Sequence, residues 1–309
     1  MVTYTGKAAG LTDLAACSQM HPELNGSAPA LPVDTIRLWR YVCAISERYH
    51  HRSFHSFRHG VDVLLATCSL LVVVREAHPE AFDDPLMVGA LLVGALAHDA
   101  DHPGVMNSLL HATSHPLVAR HGTVGTLERH HAEVALALLD RPEYNFLAPL
   151  PAAEQYRFRE LMRANIYATD VATTIPAVRA LEKSLSSGTE GGRQPEKPAT
   201  RQIMEIILKA ADISNPARPL LIYRRWVEGV MQEFYAQGDA ERARGLPISM
   251  NCDRHSVDVS KAQIGFISFL VRPVFNVLLM YAPKLQPLMD QLDQNLHHYQ
   301  TIAAASHHA

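Results

Sequence analysis

Histidine and carboxylate side chains collect where the apolar segments of this chain end. In residues 97–104, AHDADHPG, metal-capable side chains directly follow the apolar run of residues 87–96. That run is too short to span a bilayer, and its length suits a buried helix. Unpaired carboxylates in an apolar interior are costly, so partners or a metal usually neutralise them. On a continued helix, His98 and His102 would share one face, with Asp99 beside them.

Similar polar clusters occur at the ends of other apolar segments. They are His55 with His59, Glu128 with His131, Thr169 with Asp170, and Asp212. Imidazole and oxygen ligands without thiolate suit zinc, iron or manganese at an open catalytic site, whereas structural zinc usually recruits cysteine. The oxygen-rich remainder suits magnesium held through water. Two metals that share a carboxylate can generate hydroxide and neutralise a phosphate, which phosphoester hydrolysis near neutral pH requires.

The composition predicts a soluble globular protein. The chain has 309 residues, of which 48% are hydrophobic and 19% charged, so a large core is expected. The net charge of -3 gives no global attraction to nucleic acid or to an anionic membrane. The longest apolar runs are interrupted by Asp62 or by Arg272-Pro273, and residues 1–10 lack a signal-peptide pattern. We therefore expect no membrane insertion, and the sequence indicates no oligomeric state.

The four cysteines favour an intracellular, cytoplasmic location. Cys17, Cys43, Cys68 and Cys252 show neither CxxC spacing nor a dense framework. Reduced thiols are the expected state for such a sparse set.

The elements that position the polar clusters are predicted to be helices. Asp34 can cap the first of them. Helical patterns then cover residues 60–77, 123–140, 152–183, 203–213, 218–237 and 260–281. Residues 70–74 alone could be a strand, but the length of the segment and its helical neighbours favour helix. Thr169-Asp170 would lie in mid-helix, and Pro176 would kink or break it. Because alternating strand patterns and hairpin dipeptides are missing, we predict an all-α fold.

A single large domain is predicted over residues 34–295. Residues 1–33 form a lead-in, and residues 296–309 form a tail. Residues 183–200 contain SSGTEGGRQPEKP, which is typical of a mobile surface loop. The segment after this loop again ends in a polar cluster, so we place the loop within the domain.

Six short motifs follow one another in a set order. They are HxxxHxxDV at residues 55–63, HDADHPGxxN at 98–107, LExHH at 127–131, ATD at 168–170, ADISNP at 211–216 and QIGF at 263–266. Together they resemble the catalytic domain of the class I cyclic nucleotide phosphodiesterases, within the HD hydrolase superfamily. One HD pair is weakly informative, but six ordered motifs are very specific. The resemblance implies a compact, multi-helix HD-type metallohydrolase domain.

The resemblance also implies a centre of two divalent metals. The tighter metal, usually zinc, would be bound by His59, His98, Asp99 and Asp212. Asp99 would bridge to a second metal, magnesium or manganese. Water would complete both coordination shells, and those waters would be held by His102, Glu128, His131 and Thr169.

The implied reaction is hydrolysis of a 3′,5′-cyclic nucleotide, cAMP or cGMP, to the nucleoside 5′-monophosphate. A hydroxide between the metals would attack phosphorus. His55 would protonate the departing ribose 3′ oxygen as general acid, and Glu233 would orient His55. His55 lies four residues before His59, so the two would share a helical face if helix continues there.

Recognition of the base is assigned to a side-chain amide, which offers a donor and an acceptor side by side. Gln263 is the expected amide, and rotation of this amide by half a turn would accept guanine instead of adenine, so the sequence leaves the preferred base open. The resemblance places Phe266 and Val230 on opposite faces of the purine, where stacking contributes about 1–3 kcal/mol per base. The residues expected nearby are Asn215, Tyr223 and Trp226.

The chain departs from the family pattern at a few positions. Phe54 and Ser56 flank His55 where the family usually has tyrosine and asparagine, and Thr174 replaces a usual histidine. Asp101 has no implied role, and we expect it to be structural. Two other functions stay open, namely an HD-type phosphohydrolase of linear nucleotides and a catalytically silent metal-binding interaction domain.

Overall fold

The computed structural model describes residues 31–186 and 200–306. Within these two ranges the chain forms helices and turns without a strand, which confirms the all-α prediction. The helices are α1 (Thr35–Arg48), α2 (Phe57–Ala77), α3 (Pro85–Ala97), α4 (Asn107–Ala112), α5 (Pro116–His121), α6 (Thr126–Leu139), α7 (Ala152–Tyr167), α8 (Thr174–Ser186), α9 (Thr200–Asp212), α10 (Leu220–Ala243), α11 (Val259–Phe266), α12 (Arg272–Tyr281) and α13 (Gln286–Ser306). Most of the predicted lead-in, most of the predicted loop and the end of the predicted tail lie outside the described residues.

Several helix boundaries follow from local chemistry. The Asp34 carboxylate accepts a hydrogen bond from the backbone N–H of Arg37 at 3.0 Å and caps α1, as predicted. Residues 70–74 lie inside α2, so helix was the right choice there. A π-helical turn, Ile267–Val271, joins α11 to α12 just before Pro273. Proline has no N–H to donate, and a widened turn accommodates that loss.

The predicted helix over residues 152–183 is wrong in its middle. The chain leaves α7 at Tyr167, passes through a 3₁₀ turn and enters α8 at Thr174. Thr169 therefore lies in the break rather than in mid-helix. Pro176 does not cause the break, because it occupies the first turn of α8, where its missing N–H costs nothing.

The helical geometry expected for HDADH is also wrong. Helix α3 ends at Ala97 and His98 is its C-cap. Asp101 adopts a φ of 64°, which is left-handed backbone and turns the chain. His98 and His102 are brought to the site by a tight turn, not by a shared helix face.

Two apolar clusters form the core, and α2 and α3 lie between them. Val63 and Leu91 belong to the cluster that contains α8, α9, α10, α12 and α13. Leu64 and Ala90 belong to the cluster that contains α1, α6 and α7. A Cβ on Gly60 would lie 2.7 Å from the carbonyl oxygen of Leu96, so glycine lets α2 approach α3 closely. This contact brings the start of α2 beside the end of α3.

Among the described residues, two helical stretches, Phe57–Ala77 and Val259–Tyr281, could cross a membrane by length and composition. Of their most apolar windows, 50% and 39% of the residues are buried inside the protein. Core helices pass the same test, so this is weak evidence, and the expected lack of membrane insertion stays a prediction. Cys43, Cys68 and Cys252 form no disulfide in the described part of the chain.

Candidate active site

A pocket of about 610 Å³ opens where the polar ends of several helices meet. Its size is ordinary for a small-molecule site. All the predicted site residues line it except His59 and His98. Those two histidines are each 1% exposed, so they lie behind the carboxylates of Asp99 and Asp212.

Two histidines and two carboxylates from three helix ends meet in the pocket floor. His59 Nε2 lies 3.0 Å from Asp212 Oδ1 and 3.6 Å from Asp99 Oδ2. His98 Nε2 lies 3.1 Å from Asp99 Oδ2 and 3.2 Å from Asp212 Oδ1. The start of α2, the end of α3 and the end of α9 supply these side chains. The structure therefore brings the predicted metal ligands together.

The donor set fits a divalent metal. His98 Nδ1 donates to the Ala95 carbonyl oxygen at 2.8 Å, so Nε2 of the neutral ring presents a lone pair to two carboxylates. Within the described chain, His98 Nε2 has no hydrogen-bond partner despite its burial. A lone pair facing two anionic oxygens is repulsive unless a cation or a proton lies between them. Burial opposes protonation of His98, yet the carboxylates of Asp99 and Asp212 hold its pKa well above the ordinary value. The same two carboxylates would favour a metal cation at this position.

The residues expected to hold metal-bound waters surround Asp99. His131 Nε2 lies 3.8 Å from Asp99 Oδ1, and His131 Nδ1 donates to the Ala100 carbonyl oxygen at 2.7 Å. Burial lowers the pKa of His131 to about 4, so its ring is neutral at physiological pH. The His102 ring is parallel to the His131 ring, with the centroids 5.3 Å apart.

Glu128 and Thr169 complete this side of the pocket. Burial raises the pKa of the Glu128 carboxyl, which accepts a 3.2 Å hydrogen bond from Asn107 Nδ2. The Thr169 hydroxyl donates to the Ile166 carbonyl oxygen at 2.7 Å. Its lone pairs remain able to accept from water.

His55 and Glu233 form a tight pair beside this cluster. The backbone N–H groups of Phe54 and His55 donate to Glu233 Oε1 at 2.6 and 2.9 Å. His55 Nδ1 lies 2.5 Å from Glu233 Oε2. His55 does not share a helix with His59 as expected, because α2 begins only at Phe57. Instead, Glu233 of α10 holds the extended segment before α2, and the His55 ring stacks on His102 at 3.9 Å.

The charges of this pair are interdependent. Burial favours the neutral His55 ring, but the Glu233 hydrogen bond and the carboxylates of Asp99 and Asp212 raise its pKa above the ordinary value. Burial likewise acts to raise the pKa of Glu233, and the His55 hydrogen bond and charge outweigh it, so the pKa is lowered. The pair is thus arranged as imidazolium and carboxylate, a state in which His55 can release a proton.

The opposite end of the pocket carries the residues expected to bind the base. The Tyr223 hydroxyl lies 2.6 Å from Gln263 Oε1, and both side chains are buried. Phe266 and Val230 are partly buried and line the pocket. Trp226 packs edge-on against Phe54, with the ring centroids 5.6 Å apart. Phe54 therefore keeps an aromatic wall where the family tyrosine would add a hydroxyl.

Sequence reasoning missed several residues that hold the pocket wall. Asn107 Oδ1 accepts from the backbone N–H of Leu127 at 3.0 Å while its amide binds Glu128, so it anchors the start of α6. Its place at the end of the HDADHPGxxN motif could have indicated this. Gln237 Oε1 accepts from the backbone N–H of Met106 at 2.8 Å. A glutamine on an amphipathic helix is ordinary, so the sequence alone gave no indication of this contact.

Residues 54–292 match the sequence model of the family described as 3′5′-cyclic nucleotide phosphodiesterase. This match covers more than half of the chain and includes the predicted site residues. The chain belongs to this family. Family membership confirms the resemblance drawn from the six motifs. Because the family is metal-dependent, the His and Asp cluster described above is a candidate metal site.

Individual relatives within the family are similar over most of this chain. A probable 3′,5′-cyclic-AMP phosphodiesterase of Caenorhabditis elegans is 31% identical over 267 residues, which cover 84% of this chain and 39% of that protein. The 3′,5′-cyclic-AMP phosphodiesterase 4C of Rattus norvegicus is 31% identical over 282 residues, which cover 89% of this chain and 52% of that protein. The chain thus spans between about two fifths and a half of these curated relatives.

A solved structure from the family has the same fold. The crystal structure of the phosphodiesterase domain of Salpingoeca rosetta rhodopsin phosphodiesterase matches with a TM-score of 0.83 and 27% identity. The match covers 95% of this chain and 88% of that domain. The multi-helix arrangement is therefore that of a phosphodiesterase domain.

Proposed function

We propose that this chain hydrolyses 3′,5′-cyclic nucleotides, with cAMP preferred, to nucleoside 5′-monophosphates. The observation that carries this proposal is the His55–Glu233 pair, which stands beside a buried His and Asp cluster in one pocket. The first relatives compared are named 3′,5′-cyclic-AMP phosphodiesterases, which supports the preference for cAMP.

His55 is the proposed general acid. Its Nδ1 is engaged by Glu233, so Nε2 is the nitrogen that delivers a proton. The oxygen of a hydroxide, formed from water by loss of a proton to solvent, bonds to phosphorus, the bond from phosphorus to the ribose 3′ oxygen breaks, and His55 protonates that oxygen. The charge of Glu233 favours imidazolium before the reaction, and its two hydrogen bonds to backbone N–H groups hold the segment that carries His55.

Two divalent metals are proposed, zinc at the tighter position and magnesium or manganese at the second. When bound, they supply Lewis acidity toward the phosphate and lower the pKa of a water. His59, His98, Asp99 and Asp212 would hold the tighter metal, with Asp99 shared between both. The residues that would hold waters around the metals are His102, Glu128, His131 and Thr169.

Gln263 is the proposed recognition group for adenine. The Tyr223 hydroxyl donates to Gln263 Oε1, which restrains rotation of the amide. Oε1 keeps a second lone pair for the exocyclic amino group, and Nε2 can donate to a ring nitrogen. Phe266 and Val230 would enclose the base, with Asn215 and Trp226 in the same pocket.

Purified protein with magnesium or manganese tests this function on a panel of cAMP, cGMP and a linear dNTP. We expect release of 5′-AMP, and we expect His55→Ala and Asp212→Ala to abolish it. Preference for the dNTP would favour a phosphohydrolase of linear nucleotides. No turnover at full metal occupancy would favour a silent binding domain, and turnover that persists in either variant would refute the mechanism.

A further inference from the structure

A buried glutamine and a buried glutamate lie one turn apart on α10. Gln237 is 1% exposed and Glu241 is 2% exposed. Gln237 Nε2 donates a hydrogen bond to Glu241 Oε1 at 2.8 Å. Neither side chain takes part in the proposed hydrolysis or in the proposed recognition of the base. Two buried polar groups are retained only when their partners satisfy them, so the partners of this pair indicate its role.

Gln237 holds the segment that leads into α4. Residues 104–108 all line the catalytic pocket. The backbone N–H of Met106, in the middle of this segment, donates to Gln237 Oε1 at 2.8 Å. The 104–108 segment is thus fixed to α10 through a side chain of that helix.

Glu241 holds the loop that follows α10. Its Oε2 accepts from the backbone N–H of Ser249 at 2.7 Å, and its Oε1 accepts from the Ser249 hydroxyl at 2.6 Å. Burial acts to raise the pKa of Glu241, but hydrogen bonds from Ser249 and Gln237 outweigh it, so the pKa is lowered. A carboxylate suits this position because it only accepts hydrogen bonds, whereas each of these groups can donate one to it.

The 246–252 loop forms another part of the pocket wall. Its residues Met250 and Asn251 line the catalytic pocket. Met250 is 85% exposed, so apolar burial does not fix this part of the loop. A Cβ on Gly238 would overlap with the carbonyl oxygen of Cys252, so glycine lets the loop lie directly on α10. The contacts of the loop with α10 therefore determine where this wall stands.

We propose that Gln237 and Glu241 are positioning residues that set the affinity of the catalytic pocket for its nucleotide. Because the 104–108 segment and the 246–252 loop are fixed to one helix, nucleotide binding requires no ordering of this wall. Loss of the pair would let the two segments move independently and would weaken binding. His55 and Glu233 bind each other rather than this pair, so turnover of bound nucleotide should change little. The effect on nucleotide rests on the proposed function, whereas the anchoring of the two segments does not.

A reciprocal exchange of the two side chains tests this pairing. Glu241→Gln alone would set an amide N–H₂ group against a donor in either orientation, and Gln237→Glu alone would set two carboxylates against each other. The double variant Gln237→Glu/Glu241→Gln restores a donor opposite an acceptor and keeps acceptors for the N–H groups of Met106 and Ser249. Each single variant should raise KM for cAMP about 5–20-fold with kcat changed less than about threefold, and the double variant should return KM to within about threefold of the wild type.

The same exchange on the exposed face of α10 is the matched control. Glu228 and Gln232 are also one turn apart, and both are exposed. Glu228→Gln, Gln232→Glu and their double variant should leave KM unchanged. Ser249→Ala is a milder change that keeps the backbone contact to Glu241. It should raise KM about 2–5-fold, which keeps the test open if a single exchange fails to fold.

Hydrogen exchange separates this proposal from the proposed function, because it needs no substrate. Exchange of the backbone N–H groups of Met106 and Ser249 should be about tenfold faster in each single variant and should return to the wild-type rate in the double variant. Unchanged exchange in the single variants, or a double variant no better than either of them, would overturn the anchoring.

Faster exchange with an unchanged KM would overturn the positioning role. A rise in KM that accompanies loss of metal would overturn it too, so metal content is measured in every variant. Wild-type protein that hydrolyses no cyclic nucleotide would refute the proposed function and with it the role in nucleotide affinity, while the exchange rates would still decide the anchoring.

Discussion

At the residue scale, the proposed acid catalysis depends on how Glu233 affects the protonation of His55. A buried carboxylate 178 residues away in sequence receives both a ring N–H and a backbone N–H of this histidine. The other carboxylates that raise the His55 pKa, Asp99 and Asp212, are proposed metal ligands. A bound cation would neutralise them, which leaves Glu233 as the group that keeps His55 protonated.

Glu233→Gln should move the alkaline limit of activity to lower pH. Because the folded pKa of His55 is raised, the acid is present below that pKa and is lost as pH rises through it. Glutamine retains an oxygen for the two backbone N–H groups but removes the charge, so the pKa of His55 should fall. The kcat profile against pH measures this shift. Glu228→Gln, an exposed glutamate on the same helix, is the matched control and should leave the profile unchanged.

A profile that is identical in Glu233→Gln and in the wild type would show that Glu233 does not set the protonation of His55. The size of the general-acid contribution is checked separately. His55→Gln should lower kcat by about 10²–10⁴-fold.

The buried Lys209 side chain contacts the segment that contains Thr174. The residue is 2% exposed, and its ammonium donates to the Asp170 carbonyl oxygen at 3.1 Å and to Thr173 Oγ1 at 2.7 Å. Thr174 Oγ1 lies at 3.5 Å. Burial lowers the pKa of Lys209, although surrounding carboxylates oppose the shift. The lysine thus ties α9 to the break between α7 and α8, where Thr169 lies.

Lys209→Met should destabilise the protein by about 1–3 kcal/mol, because the carbonyl and hydroxyl oxygens lose their buried donor. Urea denaturation measures the free energy of unfolding. Lys183→Met removes an exposed lysine from neighbouring α8 and should have little effect. Equal stability of Lys209→Met and the wild type would show that water or a rearrangement satisfies these oxygens.

At the element scale, close approach between segments positions the side chains proposed for catalysis. A Cβ on Gly229 of α10 would lie 2.6 Å from the Ser53 carbonyl oxygen. Since Ser53 precedes His55 by two residues, this glycine lets α10 support the segment that carries the proposed general acid.

Gly229→Ala should lower kcat by about 10–100-fold while metal content stays constant, since a displacement of about 1 Å at a reacting group has effects of this size. Steady-state kinetics with parallel metal analysis separate the two effects. Gly265→Ala makes the same change on α11, where the nearest heavy atom is 4.0 Å from the new Cβ, and should retain activity. Unchanged kcat in Gly229→Ala would mean that the backbone at Ser53 shifts to accommodate the new Cβ without displacing His55.

The longer helices up to α12 were predictable from periodicity, whereas the short α4 and α5, the C-terminal α13 and the helix ends that carry the polar clusters were not. Helices α1, α2, α9 and α10 were predicted from their apolar spacing and caps. The end of α3 at Ala97 was missed because Asp101 adopts a left-handed conformation that aspartate reaches only with local support. Its carboxylate lies 2.8 Å from His50 Nε2 and 2.8 Å from His130 Nε2, and those partners are remote in sequence.

At the scale of the whole molecule, the proposed metal ligands and the residues expected to hold the metal-bound waters come from both apolar clusters of the core. His98 follows α3, which lies between the clusters, whereas Asp212 ends α9 in one of them. His131 belongs to α6 in the other. The ligand types and their local spacing were readable from six motifs, but their convergence came with the family resemblance, because no local pattern encodes a contact across 153 residues such as His59 with Asp212.

Removal of metal with a chelator should therefore lower the Tm of the protein while unfolding remains one cooperative transition. A ligand at about 100 times its Kd adds about 2.7 kcal/mol to the stability of the folded state. Thermal unfolding of metal-loaded and stripped protein measures this difference. Asp212→Asn should abolish the difference. Asp101→Asn should lower Tm in both states but preserve the difference, because Asp101 contacts His50 and His130 rather than the metal cluster. Identical Tm values for metal-loaded and metal-stripped wild-type protein would show that a bound metal does not stabilise the contact between the two apolar clusters.

The π-helical turn at Ile267–Val271 sets the rotation of α11, which carries the residues proposed to bind the base, relative to α12. Each residue in an α-helix advances by about 100° around the axis, so loss of one residue from this turn would rotate Gln263 and Phe266 by about that angle relative to α12. The His and Asp cluster on α2, α3 and α9 would keep its place. A single insertion or deletion here could therefore change which base is accepted without altering the hydrolytic centre, so this turn offers evolution a route to new nucleotide selectivity.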